Sequence, residues 1–434
     1  MSTPSHDWKP DELGPAFEQL TLDLGTDSEG PVVATVVRYL PEPARHSLFS
    51  RLTRSVQPRA ENTDVLYVHG WSDYFFQAHL AEYWRAQGAR FYALDLRKYG
   101  RSLRPGQSPG YIEDLSTYDA DIEAALNAIG QLRRGGSKRK LVLMGHSTGG
   151  LILSLWLARN PERADALILN SPWLEYQLTS TLRQVVEPVM GLQAKVAPHS
   201  RQVNPDLGFN YRTTAAARGG EWEFNETWRP EKAFPVRSAW LKAILAGHTK
   251  VAAGLGIKVP ILTLLSTHSM LTGRWSEKMR EADIVIDVET TAIRAPKLGR
   301  RVTVIRVPHA LHDIVRRQAE VITRNDQELN WRQAKIDKLT HEVAYYKRHY
   351  FGVKAEHLPA EQGQLFEETL AADMAAMTEE LAQLSESKPK GQAKRKPLPP
   401  EFCFCTEFRF SGYQSTESLH CRQASDNLLP SSLF

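Results

Sequence analysis

Residues 141–160 constrain this chain more than any other stretch. Leu141-Val142-Leu143-Met144 is an unbroken apolar run, the pattern of a strand buried on both faces. It enters Gly145-His146-Ser147-Thr148-Gly149 directly, and Thr148–Asn160 then follows helical spacing. A strand that turns at once into a helix needs small residues on either side of the turn, and G-x-S-x-G supplies them around a serine. Such a turn holds the serine in a strained backbone conformation and lifts its hydroxyl above the strand ends. The same pattern can be met by a purely structural serine. Its place between a buried strand and a helix makes Ser147 a candidate nucleophile.

The flanking sequence fits that strand–turn–helix unit into a larger alternation. Candidate strands are 17–24, 32–39, 64–69, 90–96, 140–145, 166–169, 260–266 and 301–307, with helical patterns at 77–87, 119–132 and 148–160. Strands alternating with helices predict an α/β fold, here an eight-stranded, mostly parallel sheet with both faces covered. The first two strands follow each other without a helix and predict an antiparallel start. Between Ser171 and Val259 the alternation stops in a stretch rich in Trp, Pro, Arg and Asn. That stretch, about 172–259, reads as a cap inserted over the carboxyl ends of the strands. Residues 1–315 are then one domain.

Past Val315 the period changes. Ile322, Leu329, Ile336, Val343 and Tyr350 recur every seventh residue, and Leu370, Met374, Met377, Leu381 and Leu384 continue at coiled-coil spacing. Residues 316–387 therefore read as a helical coiled-coil hairpin. Residues 388–434 read as a basic, proline-rich linker and a disordered tail. Cys403, Cys405 and Cys421 all fall there. They lack four ligands at fixed spacing, so no metal site is expected, and the body has no disulfide framework. Apolar residues make up 42% and charged residues 24% of the 434, enough for a large core. No apolar run approaches the ~20 residues of a membrane span, and the polar N-terminus lacks the apolar stretch of a signal peptide. The expected location is cytoplasmic. The net charge of +4 does not call for a nucleic-acid partner.

A serine hydroxyl attacks only when a base takes its proton. After the last strand, Pro308-His309-Ala310-Leu311-His312-Asp313 offers His309 and His312. A carboxylate to orient the base is expected after strand 260–266, where none occurs until Ala282-Asp283-Ile284-Val285-Ile286-Asp287. Asp287 could instead cap a helix. His69-Gly70-Trp71-Ser72-Asp73 follows strand 64–69, and Asp95-Leu96-Arg97-Lys98-Tyr99-Gly100-Arg101-Ser102 follows strand 90–96. Asn170-Ser171-Pro172-Trp173 leads into the cap.

Together these segments resemble the lysophospholipase and monoacylglycerol-lipase branch of the α/β-hydrolases, over nearly all of residues 15–315. The matching patterns are G-x-S-x-G, H-G-x-x-[DE], D-x-R-G-x-G-x-S with Lys98 in place of a glycine, D-x-V-x-D, and G-x-x-H-D-x. The resemblance implies Ser147 as nucleophile, His312 as base and Asp283 as triad acid, with Asp287 as the alternative. It implies an oxyanion hole from the amides of Trp71 and Thr148. The acid stands later after its strand than is usual. Trp173, with Trp222, Trp228 and Trp240, suits either an apolar acyl group or the core of the cap. No cofactor is implied, and the substrate would be a small acyl ester.

Residues 321–400 resemble the leucine-zipper region of bacterial insertion-sequence transposases, through Ile336-Asp337-Lys338-Leu339-Thr340-His341-Glu342, Lys347-Arg348, Phe351-Gly352, Ala360-Glu361-Gln362 and the basic exit at Lys394–Pro400. The zipper implies self-association. The rival to an enzyme is a transposase-derived coiled-coil protein, with an inactive hydrolase remnant and weak partner or nucleic-acid binding through 388–396.

Overall fold

The computed structural model describes residues 7–40, 60–131, 139–176, 191–202 and 206–314. The expected coiled-coil hairpin at 316–387 and the tail at 388–434 lie outside these residues. Within them is one mixed sheet of nine strands: β1 (Lys9–Asp11), β2 (Gly14–Asp27), β3 (Gly30–Tyr39), β4 (Thr63–Val68), β5 (Arg90–Asp95), β6 (Lys140–His146), β7 (Ala166–Asn170), β8 (Ile261–Ser266) and β9 (Val302–Val307). Their spatial order is β1-β2-β3-β5-β4-β6-β7-β8-β9. The first three pair antiparallel, β3 meets β5 antiparallel, and all pairs from β5 through β4 to β9 are parallel. The expected count of eight becomes nine because Lys9–Asp11, too polar to read as a strand, pairs along β2.

The central strands are apolar and buried because helices cover both faces. α1 (Ala78–Ala86), α2 (Tyr118–Ala128) and α3 (Thr148–Arg159) lie close to the helices expected from periodicity. α3 is buried along most of its length, from Thr148 through Leu157, which is why its sequence is apolar nearly all round. The inserted segment carries a helical stretch at 191–196 and the helices α4 (Phe209–Thr214) and α5 (Ser238–Ala253). α5 packs Trp240, Leu241, Ile244 and Leu245 into the same core cluster as α3 and the strands. A last short helix, α6 (Val288–Arg294), precedes β9.

Strand order decides what can meet at the carboxyl ends. β4 and β6 are direct neighbours, with Val68 opposite Gly145, so the loops after them lie side by side. β9 is separated from β6 by β7 and β8. Its following loop must therefore return across about 14 Å, three strand spacings, to reach the serine turn.

Candidate active site

Ser147 occupies the turn between β6 and α3 with φ 51° and ψ −116°. A non-glycine residue with positive φ is strained, and such strain persists only where the surroundings over-determine it. Here its amide donates to the Asn170 carbonyl at 3.0 Å, and its carbonyl accepts from the amides of Gly150 at 3.1 Å and Trp173 at 3.0 Å. The glycine at 149 is forced. A Cβ there would stand 2.3 Å from the His69 carbonyl oxygen and 2.4 Å from that of Val68. Trp173, expected at the substrate, is placed here by its backbone, whose amide pins the serine turn.

The loop after β4 comes equally close. A Cβ on Gly70 would lie 3.1 Å from Ser147 Cβ. The Leu96 amide donates to His69 Nε2 at 3.1 Å, which leaves the proton on Nδ1, and Nδ1 donates to the Gly70 carbonyl at 2.8 Å. Because the Gly70–Trp71 peptide is trans, a carbonyl held toward His69 turns the Trp71 N–H to the other side. The amides of Trp71 and Thr148 donate to no acceptor among the described residues. Thr148 opens α3, where first-turn amides have no partner within the helix.

The two histidine candidates separate clearly. His312 is buried, and its Nδ1 lies 2.8 Å from Asp283 Oδ2. Its Nε2 has no hydrogen-bond partner among the described residues. The ring stands 4.9 Å from that of His146, the residue before Ser147. His309 is exposed and pairs with Glu281 at 3.1 Å instead. Asp283 is fully buried, and its other oxygen accepts from the amides of Val285 and Ile286, both at 2.9 Å. Asp287 caps α6, accepting from the Glu289 and Thr290 amides.

The late position of Asp283 has a simple geometric account. Ser269, three residues past β8, forms a parallel bridge with Asp283. The Asp283 amide donates to the His268 carbonyl at 3.1 Å, and the Met270 amide to the Asp283 carbonyl at 2.8 Å. Residues 270–282 are thus an excursion that leaves the strand end and returns to it. It reaches the inserted segment: Arg280 donates to the carbonyls of Arg218 at 2.7 Å, Gly219 at 3.1 Å and Arg212 at 3.3 Å.

The inserted segment is tied to the loop after β4 at several points. The Phe234 amide donates to Ser72 Oγ at 3.0 Å, the Asn225 amide to the Tyr74 hydroxyl at 2.6 Å, and Arg229 Nε lies 3.2 Å from Asp73 Oδ1. The Trp71 ring lies against Trp240 with centroids 3.7 Å apart, and Trp240 neighbours Trp173 at 6.2 Å. Trp222 and Trp228 pack with Tyr74, Phe76 and Leu311.

Asp313, Asn170 and Gln77 had no assigned role. Asp313 is buried and accepts from Gln77 Nε2 at 2.8 Å and Asn170 Nδ2 at 2.9 Å. Burial alone would raise its carboxyl, yet His146, Gln77 and Asn170 hold it below the ordinary range. Burial lowers His146 from its own ordinary value, against the upward pull of the Asp313 carboxylate. The available signal was a charged residue in the otherwise apolar run Ala310-Leu311 to Ile314. Its partners were not readable from spacing.

With this geometry in hand, the family comparison is decisive. The serine aminopeptidase S33 model matches residues 60–316. The chain belongs to that family. A second model, described as transposase C of IS166 homeodomain, matches residues 338–402, so a transposase zipper segment is joined to the α/β-hydrolase. A monoacylglycerol lipase from Mycolicibacterium smegmatis is 29% identical over 133 residues, covering 30% of this chain and 43% of the lipase. A human 1-acylglycerol-3-phosphate O-acyltransferase is 33% identical over 86 residues, 19% of this chain and 22% of that protein. The matches thus span less than half the length of these curated relatives. Among solved structures, a Paleococcus ferrophilus monoacylglycerol lipase is 18% identical, with TM-score 0.43, over 59% of this chain and 88% of that one. No helix among the described residues is long and apolar enough to cross a membrane.

Proposed function

We propose that this S33-family protein hydrolyses carboxylic esters through an acyl-enzyme on Ser147. The observation that carries the reading is the 2.8 Å contact between Asp283 and His312 Nδ1 beside a strained serine turn. A carboxylate accepting from Nδ1–H leaves the lone pair on Nε2, the form of imidazole able to take a proton. His312 Nε2 takes the Ser147 hydroxyl proton as Oγ attacks the ester carbonyl. It returns that proton to the leaving alcohol and then activates water to release the acid. The developing oxyanion is met by the amides of Trp71 and Thr148. One such donor contributes about 3 kcal/mol to the barrier.

The proposed substrate is a small acyl ester of the monoacylglycerol or lysophospholipid kind. The aromatic wall of Trp71, Trp173 and Trp240 supports it, since aromatic faces suit an acyl chain. The proposed chemistry requires no cofactor, and the proposed location is cytoplasmic. Labelling by a fluorophosphonate probe and turnover of p-nitrophenyl esters of rising chain length test the reading. Ser147→Ala should abolish labelling and lower turnover by about a million-fold. Unchanged turnover in that variant would remove Ser147 from the site.

A further inference from the structure

The loop after β9 must hold an imidazole beside a turn three strands away, and it does so with few residues. Ala310 and Ile314 are buried against Leu264 and Val307, while Leu311 packs with Tyr74, Phe76 and Trp222. Apolar contacts of this kind resist lifting of the loop but do little against sliding. Besides His312 to Asp283 and His309 to Glu281, directional ties run through Asp313 and Asn170. Asp313 reaches Asn170 at the end of β7 and Gln77 at the start of α1, and the Ile314 amide donates to Asn170 Oδ1 at 3.3 Å. Asn170 also accepts the Ser147 amide on its carbonyl, and His146 Nδ1 lies 3.2 Å from the same oxygen. One residue thus references both the serine turn and the histidine loop.

We propose that Asp313 is the positioning residue of His312, a buried anion that locks the histidine loop to the strand end holding the nucleophile. The proposal rests on His312 acting as the base. The ionisable groups around this pocket are His146 from β6, His79 from α1, Tyr67 from β4, Asp73 from the oxyanion loop and Asp283 from the acid loop. Among them Asp313 is the carboxylate fixed by two side-chain amides, one from β7 and one from the start of α1. Its charge acts on His146, whose ring stands 4.9 Å from that of His312, the imidazole that must become a cation during the reaction, and a nearby anion favours that cation.

The test uses full-length protein; it first removes the anion and then restores it one hydrogen bond away, with donor and acceptor roles exchanged. Asp313→Asn sets an amide donor against the donors of Gln77 and Asn170 and removes the anion. Its kcat on p-nitrophenyl butyrate should fall about 10- to 100-fold with KM little changed, the usual cost of slight misplacement of a catalytic group. The acid limb of kcat/KM should move to lower pH, because the imidazolium loses a nearby anion. Asn170→Asp combined with Asp313→Asn restores every complementary pair: the new Asp accepts from Ile314 N–H and from the new Asn, which accepts from Gln77. This double variant should recover most of kcat and return the acid limb. Should Asp313→Asn fail to fold, Gln77→Leu, which keeps the anion, should give a smaller loss, about 3- to 10-fold. An unchanged kcat and acid limb in Asp313→Asn, or a folded double variant no better than the single, would overturn the proposal. Wild-type turnover in His312→Ala would instead overturn the reading of the base.

Discussion

Two side chains show how single residues tolerate unfavourable backbone when their surroundings offset it. Ser147 is held at φ 51° by hydrogen bonds on both its amide and its carbonyl. Lys98, at the glycine position of the resembled D-x-R-G-x-G-x-S pattern, has φ 63°, a conformation that favours glycine. This chain accepts the strain because Lys98 Nζ lies 2.6 Å from both Asp27 and Glu29 in the β2–β3 hairpin. Burial pushes both carboxyls up, but the Lys98 ammonium outweighs it and holds each below its ordinary range. A carboxyl with a depressed folded-state value contributes stability above its unfolded value and loses it as pH falls through the folded one. Urea midpoints should therefore drop in wild-type protein below about pH 4. Lys98→Met should lose about 1–3 kcal/mol at neutral pH and show a flatter acid limb; an equally steep limb would count against the pairing. The two acid candidates part at the same scale. Asp283→Asn should lower turnover by about ten-thousand-fold through the wrong imidazole tautomer. Asp287→Asn should cost at most about 1 kcal/mol of stability as a helix cap and leave kcat near wild type. The reverse kinetic ranking would make Asp287 the acid.

At the scale of elements, the site depends on segments that leave the sheet and come back. The excursion 270–282 begins and ends at the Ser269–Asp283 bridge, so its length does not displace Asp283. Its outer end holds the inserted segment through Arg280, with Trp275 against Phe209 and the Arg212 guanidinium, the latter 4.0 Å from the ring centroid. Three half-exposed hydrogen bonds to carbonyls contribute on the order of 1–2 kcal/mol together. Arg280→Ala should therefore speed hydrogen exchange across residues 206–222 roughly 5- to 30-fold, with global melting little altered. No change in exchange there would mean that the excursion does not restrain the inserted segment. α5 works the other way: its apolar face is continuous with the main core, so the inserted segment is anchored at Trp240 and Ile244 as firmly as the helices of the sheet.

Across the described residues, a buried ion network ties the sheet's antiparallel edge to β5 and to the loop before α1. Arg101 meets Asp11 of β1 through Nε at 2.6 Å and Nη2 at 2.8 Å, and Asp95 of β5 at 2.9 Å; it also donates to the Phe75 carbonyl. That gives the polar Lys9–Asp11 segment a reason to pair as a strand. The family match at 338–402 sets a zipper after the hydrolase. The heptads Ile336 and Val343 would expose an apolar strip unless paired with another helix. We expect mass by light scattering to exceed that of a monomer and to return to it in Ile336→Asp plus Val343→Asp. A monomer in the unmutated protein would exclude the intermolecular pairing and favour a hairpin.

What the sequence determined by itself was whatever depends on near neighbours. The apolar run Leu141–Met144, the glycines around Ser147 and the helical period after it are local steric and burial requirements, so the serine turn and the order of strands and helices were legible. The heptads were legible for the same reason. Tertiary structure alone decided which carboxylate meets His312. That depended on a bridge between Ser269 and Asp283 across a thirteen-residue excursion, with Asp287 diverted to cap a helix. It decided that Lys9–Asp11 is a strand, through an arginine some ninety residues away. It also decided that Asp313, Asn170 and Gln77 form one polar knot, with partners 143 and 236 residues apart. Such contacts follow from strand order and from the return of a loop across three strand spacings. No local pattern encodes that return, because the chain between the partners sets only the possibility of meeting, and packing sets the fact.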